Sequence, residues 1–296
     1  MKPLQERALV FDCKGDRLLG ILHSPATEPR SLGVLIVVGG PQYRVGSHRQ
    51  FVVMARALAS SGYPVLRFDH RGIGDSDGTP RRFEELDDDI RAALDAMHVA
   101  CPGLSGAVMF GLCDAAAASM MYCAKDPRLA GLILSNPWVH SEAGVARAYV
   151  RHYYFERLLQ ASFWRKVAAG EFDLVESVRD LLRKLWLATK LSRVSAVRGT
   201  FRDHMLEGLT RFRGQVLLLI SGRDLTAAEF MELGRPDERW RAGLARPNVK
   251  LRRYEQSDHT YSDAGGLAMA IADCTAWLEL ISTRSRPAES EEPAWH

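Results

Sequence analysis

The sequence predicts a mostly parallel α/β sheet, and three observations predict it. Short aliphatic and β-branched runs alternate with amphipathic stretches at the spacing of strand–helix–strand units. Several runs are apolar throughout, among them Gly33–Val38, Ala107–Phe110 and Val216–Ile220, as strands covered on both faces require. The composition, 47% hydrophobic and 25% charged over 296 residues, is the balance of a soluble globular protein, with one large domain or two small ones both open.

The elements follow in chain order. Arg7–Cys13 and Arg17–His23 read as two strands joined by a Lys14-Gly15-Asp16 turn. Gly33–Val38 is a buried strand, Gln50–Ser61 a helix stopped by Gly62, and Pro64–Phe68 the next strand. Phe83–Ala100 reads as one helix whose first turn carries Glu84 and Glu85, favourable at the positive end of the helix dipole. Ala107–Phe110 is a strand, Asp114–Ala124 an alanine-rich helix and Leu129–Leu134 a further strand. From Glu142 to Phe212 the strand signal disappears and several Leu-, Arg- and aromatic-rich helices are expected. Strand grammar returns at Val216–Ile220, with helix from Ala227, a strand over Val249–Tyr254 and a last helix over Ala264–Ile281. The expected organisation is therefore a sheet domain of residues 1–140 and 211–283, a helical cap of residues 141–210, and a polar, disordered tail of residues 284–296.

Several classes are excluded. The net charge of +3, from 39 basic and 36 acidic residues, is too even for a nucleic-acid partner. No stretch reaches the roughly 20 apolar residues of a membrane span, and Met1–Arg7 lacks a signal-peptide core, so a cytoplasmic enzyme without stable membrane insertion is expected. The five cysteines, Cys13, Cys101, Cys113, Cys123 and Cys274, are scattered and form no CxxC pair. Neither a metal site nor a disulfide framework is expected from them. The glycines of Asp69–Ser76 lack the spacing that cradles a phosphate, so no nucleotide cofactor is expected and that loop reads as a structural rim.

One cysteine stands apart. Gly111-Leu-Cys-Asp-Ala115 joins a buried strand to a helix, with small residues on both sides of Cys113, as a sharp strand–turn–helix elbow carrying a nucleophile requires. A free cysteine is ordinarily a packing residue, but at a helix N-terminus beside a histidine its thiolate is favoured. In this architecture the acid and then the histidine follow the nucleophile. His140, His152 and His204 fall in or beside the cap and His296 is terminal, which leaves His259 in the loop after the last strand. Asp224, after Val216–Ile220, is the favoured acid; it could equally cap the following helix, and Asp258 is the second candidate. The loop Gly39–Gly46 should complete an oxyanion hole with the Asp114 N–H. Pro41 has no N–H, so Gly40 or Gln42 must donate, with Gln42 favoured.

On these residues the chain resembles the α/β-hydrolase superfamily over nearly its whole length. The likeness is carried by Val37-Val-Gly-Gly-Pro41, Arg67–Ser76, the Cys113 elbow, Ser221-Gly-Arg-Asp224 and Ser257-Asp-His259. It is more narrowly similar to the exosortase A system-associated hydrolase 1 family, on Gly39–Arg49, Gly111–Asp114 and the Tyr149–Trp164 stretch with its Arg-His-Tyr-Tyr run. The superfamily resemblance implies acyl transfer to water or another nucleophile, with Cys113 as nucleophile, His259 as base and Asp224 orienting it. The narrower one implies a bacterial enzyme encoded near a protein-sorting and exopolysaccharide system. The chain departs from the superfamily pattern twice: Cys replaces Ser, and Gly39 stands where a His-Gly pair is common.

The expected activity is thus ester or thioester hydrolysis through a Cys–His–Asp triad; the alternative is an acyltransferase serving an amine, alcohol or thiol. Residues 141–210 carry twelve Lys/Arg against eight Asp/Glu, a net of +4 in a chain totalling +3. Solvated helix faces explain that excess, and so does an anionic acyl-CoA or acyl carrier protein donor. A non-catalytic binding protein that kept the fold is the reading from another class, disfavoured because all three triad residue types stand in order.

Overall fold

A computed structural model describes residues 4–40, 42–139, 200–263 and 265–284. Eight strands form one sheet in the order β1-β2-β4-β3-β5-β6-β7-β8. They are β1 (Gln5–Cys13), β2 (Asp16–Ser24), β3 (Leu32–Val37), β4 (Val65–Phe68), β5 (Gly106–Leu112), β6 (Leu129–Ser135), β7 (Gln215–Ser221) and β8 (Val249–Tyr254). β2 runs antiparallel to β1 and β4, and every pair from β4 to β8 is parallel. The apolar runs occupy the middle: β3, β4 and β5 are buried at every position, whereas β1 and β8 expose most of theirs at the two edges.

Parallel strands need crossovers, and the helices that supply them cover both faces. α1 (Gln50–Ser60) and α7 (Gly266–Arg284) close one face, where Phe51, Met54, Leu58, Cys274, Trp277 and Leu278 pack against Val34, Ile36, Val108 and Ile133. α2 (Asp87–Ala100), α3 (Asp114–Tyr122), α4 (Phe201–Arg211), α5 (Leu225–Glu232) and α6 (Glu238–Leu244) close the other. There Ile90, Leu94, Met120, Tyr122, Met205, Phe230 and Trp240 meet Leu35, Val37, Leu132 and Leu218. α1 ends where Gly62 turns to φ +96°, a left-handed stop that glycine adopts without strain.

The expected helix over Phe83–Ala100 is two pieces, a 3₁₀ turn at Phe83–Glu85 and α2 from Asp87. Leu86 leaves helical geometry and buries its side chain in the core. Three aspartates, Asp87, Asp88 and Asp89, fill the first turn of α2, a second acidic start suited to the dipole.

The expected cap lies almost wholly outside the described residues, whose chain stops at Val139 and resumes at Thr200. α4, placed by sequence at the end of that cap, packs on α3; a Cβ on Gly208 would run into Met120 O. Arg202 on α4 donates to the Val139 carbonyl and pairs with Glu229 on α5 at 3.2 Å. No helix among the described residues is long and apolar enough to cross a membrane.

Candidate active site

The carboxyl ends of β3, β5, β6, β7 and β8 converge on one edge of the sheet, the edge at which open parallel α/β sheets bind ligands. Cys113 sits between β5 and α3 with φ 62° and ψ −123°, a conformation rare for any residue with a side chain. Its N–H donates to Ser135 O at 2.9 Å, and its carbonyl accepts from Ala116, Ala117 and Trp138 N–H groups at 3.1, 3.2 and 3.0 Å. The elbow is therefore held by α3 on one side and by the continuation of β6 on the other. A Cβ at Gly111 would stand 2.6 Å from the Ala115 backbone, which is why this crossing needs a glycine.

Asp224 and His259 come together across two loops. His259 Nδ1 donates to Asp224 Oδ2 at 2.8 Å. The Asp224 side chain is 6% exposed and that of His259 32%. Asp224 also caps α5, accepting from Thr226 N–H at 3.0 Å and Ala227 N–H at 3.2 Å. The two roles that compete in sequence coexist because a carboxylate has two oxygens and several lone pairs. Asp258, the other candidate acid, is spent inside its own loop on the Thr260 and Ser262 N–H groups, at 3.0 Å each.

His259 is strongly shifted. The Asp224 hydrogen bond first, and the Cys113 side chain second, push its imidazole up to about 10 against the opposing effect of burial. Elsewhere in the fold, burial drives the Cys13 thiol up to about 11 and the Cys123 thiol to about 12.

A cavity of about 390 Å³ opens over the elbow. Cys113, Asp114, His259, Gly39, Gly40 and Gln42 form its polar side, and Phe51, Phe83, Leu112 and Trp138 its apolar wall. Phe83 is braced edge-on by Phe201 of α4, ring centroids 5.4 Å apart. Gln42 lines this cavity, its side chain donating to Ser47 Oγ at 3.1 Å. In the same loop Gly40 N–H donates to Asp114 Oδ2 at 2.7 Å. Asp114 opens α3, where an N–H has no intrahelical acceptor. Its carboxyl is raised by burial and held back by the N–H groups of Gly40, Ala115 and Asp114 itself.

The supporting shell contains residues that sequence reasoning passed over. Asn136, fully buried, donates to Ser221 Oγ and to the His259 carbonyl at 3.0 Å each and accepts from Ser221 N–H at 2.9 Å. Tyr261 OH lies 2.7 Å from Ser135 Oγ. Arg44 pairs with buried Asp69 and with Asp75, and its own N–H donates to Asp69 Oδ1 at 2.6 Å. This clamps the Gly39–Gly46 loop to the rim loop after β4. The Ser135-Asn-Pro turn after a buried strand was the one local signal available for Asn136. Among the described residues no group of three His, Cys, Asp or Glu side chains is placed to hold a metal ion.

Comparison with known proteins bears on this geometry. A family profile described as serine aminopeptidase, S33, a hydrolase family, matches residues 33–228. No curated protein matches the sequence. An esterase from Pyrococcus furiosus superposes with TM-score 0.61 at 16% identity, covering 95% of this chain and 93% of its own. Est1E from Butyrivibrio proteoclasticus, with ferulic acid bound, gives 0.60 at 16% identity over 93% of this chain and 100% of its own. Proline iminopeptidase from Mycobacterium smegmatis gives 0.57 at 14% identity over 95% and 100%. At these identities the likeness is one of fold, and the fold is that of the α/β-hydrolases.

Proposed function

The chain belongs to the serine aminopeptidase S33 family of hydrolases, and on that premise we propose that it hydrolyses an ester or thioester through Cys113, His259 and Asp224. The observation that carries this reading is the 2.8 Å bond from His259 Nδ1 to Asp224 Oδ2, in a cavity that Cys113 and His259 line together. Cys113 Sγ gives its proton to His259 and attacks the acyl carbon, forming a sulfur–carbon bond and a tetrahedral oxyanion. As the intermediate collapses, the bond to the leaving oxygen or sulfur breaks and the leaving group takes the His259 proton. Water then attacks the thioester, giving its proton to His259; the carbon–sulfur bond breaks, the acid departs and Sγ takes the proton back from His259. Asp224 fixes the tautomer and stabilises the imidazolium throughout.

The aromatic wall of Phe51, Phe83 and Trp138 suits an acyl group with an apolar or aromatic body, and the ferulic acid in the structurally similar Est1E is of that kind. A sulfur nucleophile also keeps acyl transfer to an amine, alcohol or thiol in view, because a thioester is readily attacked by amines and thiols. An acyl-CoA or carrier-protein donor would draw on the positive charge of residues 141–210, of which only 200–210 are described. We further read the chain, on Gly39–Arg49 and Gly111–Asp114, as similar to the exosortase A system-associated hydrolase 1 family.

The test is a panel of p-nitrophenyl esters and acyl-CoAs against wild type, Cys113→Ala and Cys113→Ser, with intact-mass detection of the acyl-enzyme. Acyl label on Cys113 and loss of turnover in folded Cys113→Ala are expected. Label on another cysteine, or unimpaired Cys113→Ala, overturns the reading. A product that appears only with an added acceptor decides for the transferase.

A further inference from the structure

The side chain of Asp114 does something its neighbours do not require. Its Oδ2 accepts from Gly40 N–H at 2.7 Å and its Oδ1 from Ala115 N–H at 2.9 Å. Its own N–H, the first of α3, faces the same carboxyl. Converging N–H groups at a helix start, beside a nucleophile, are the donors a tetrahedral oxyanion calls for. Here a carboxylate already fills them.

The neighbouring sequence is shaped to this occupant. A Cβ at Gly39 would run into Asp114 Oδ1 and would stand 2.7 Å from Ala115 N. The departure at Gly39 and the aspartate at position 114 therefore belong together: the space a side chain would use holds the carboxylate. Gly40 reaches the carboxylate with φ +58°. None of the ion pairs among the described residues includes Asp114, so no Lys or Arg there neutralises it by direct contact. It faces the cavity that Cys113 and His259 line.

We propose that the Asp114 carboxylate is a resident anion in the N–H cradle beside Cys113, and that it determines which charge of acyl substrate the site accepts. The proposal rests on the acyl-transfer reading above. An oxyanion and a carboxylate cannot share one set of donors without repulsion, so Asp114 must swing aside as the tetrahedral state forms. A neutral or cationic acyl group permits this. An acyl group carrying its own carboxylate close to the reacting carbon adds a second anion to the cradle and is rejected.

Charge selectivity is measurable without turnover. Wild type and Asp114→Asn are alkylated with neutral iodoacetamide and anionic iodoacetate, and modification of Cys113 is followed by peptide mass spectrometry. The cationic His259 draws iodoacetate in both proteins, so the two are compared with each other: the preference for iodoacetamide should be about tenfold greater in wild type than in Asp114→Asn. A trifluoromethyl ketone, which forms an oxyanion on the nucleophile, should bind Asp114→Asn about tenfold more tightly than wild type. Equal alkylation ratios in the two proteins, or weaker inhibitor binding to the variant, overturn the proposal. If Asp114→Asn fails to fold by circular dichroism, Asp114→Ser takes its place in both measurements with the same expectations. A ratio that shifts while wild type turns over no ester supports the resident anion and counts against the acyl-transfer reading alone.

Discussion

His259 Nδ1 donates at 2.8 Å to an Asp224 carboxylate that also accepts from the Thr226 and Ala227 N–H groups at the start of α5. The acid is thereby aimed by a helix as well as by a loop. Asp224→Asn keeps an oxygen for the cap but loses the charge that holds His259 protonated. Acyl turnover should fall by roughly 10³-fold, and the His259 pKa should drop from about 10 toward its ordinary value. NMR titration of the imidazole checks the second expectation, and an unshifted His259 would refute it.

The backbone of Cys113 carries a cost that the side chain imposes. At φ 62° and ψ −123° a residue with a Cβ is strained by about 1–3 kcal/mol, and glycine is not. Cys113→Gly should therefore be more stable than Cys113→Ala by about 1 kcal/mol, reversing the usual order of these residues beside a helix. Urea denaturation of the two inactive variants measures it.

Asn136 ties the end of β6 to Ser221 and to the His259 carbonyl. Asn136→Ala leaves a buried Ser221 N–H without its acceptor, at about 1–3 kcal/mol. It also frees the loop that aims the imidazole, so kcat should fall by about ten- to a hundredfold. Retained kcat in the folded variant would show that the loop is held by other means.

The clamp on the glycine loop is ionic. Asp69 is fully buried, accepts from Arg44 and Asp75 N–H groups and pairs with the Arg44 guanidinium. Asp69→Asn should destabilise the fold by about 3 kcal/mol, the range seen when one partner of a buried pair is removed. Differential scanning calorimetry supplies the measurement.

His23 gives the fold an acid limb. Arg67 Nε donates to His23 Nε2 at 2.8 Å, which leaves the proton on Nδ1 facing Glu6 at 3.4 Å. Burial first, then the Arg67 charge, pushes the imidazole down to about 4 from 6.5. Between those values the unfolded chain binds a proton that the folded chain refuses. The stability contribution is therefore whole above pH 6.5 and declines as pH falls toward 4, by roughly 3 kcal/mol. His23→Gln should flatten that slope in chemical denaturation measured from pH 7 to pH 4. His259 acts in the opposite sense: its raised value stabilises the fold below pH 6.5, and that contribution is lost as pH rises toward 10.

The sheet was legible because its strands are local: an apolar run such as Val216–Ile220 becomes β7 with one residue added at each end. The elbow was legible for the same reason, since small residues on both sides of Cys113 are a requirement written in five positions. The break at Leu86 was not, because it depends on where that side chain finds the core. Nor was the carboxylate of Asp114, whose partner Gly40 is 74 residues away. Asp224 looked like a choice between cap and acid only because one dimension hides how many lone pairs a carboxylate presents.

The Arg202 contact to the Val139 carbonyl has an architectural consequence. Departure from the sheet after β6 and the start of α4 at Thr200 lie at neighbouring points, joined by Arg202 of α4 and the Val139 carbonyl. Closing a loop between fixed, adjacent ends depends only weakly on its length. The framework that carries Cys113, Asp224 and His259 thus has a port, through which residues 140–199 could be exchanged for a shorter or a foreign segment while the strands keep their register.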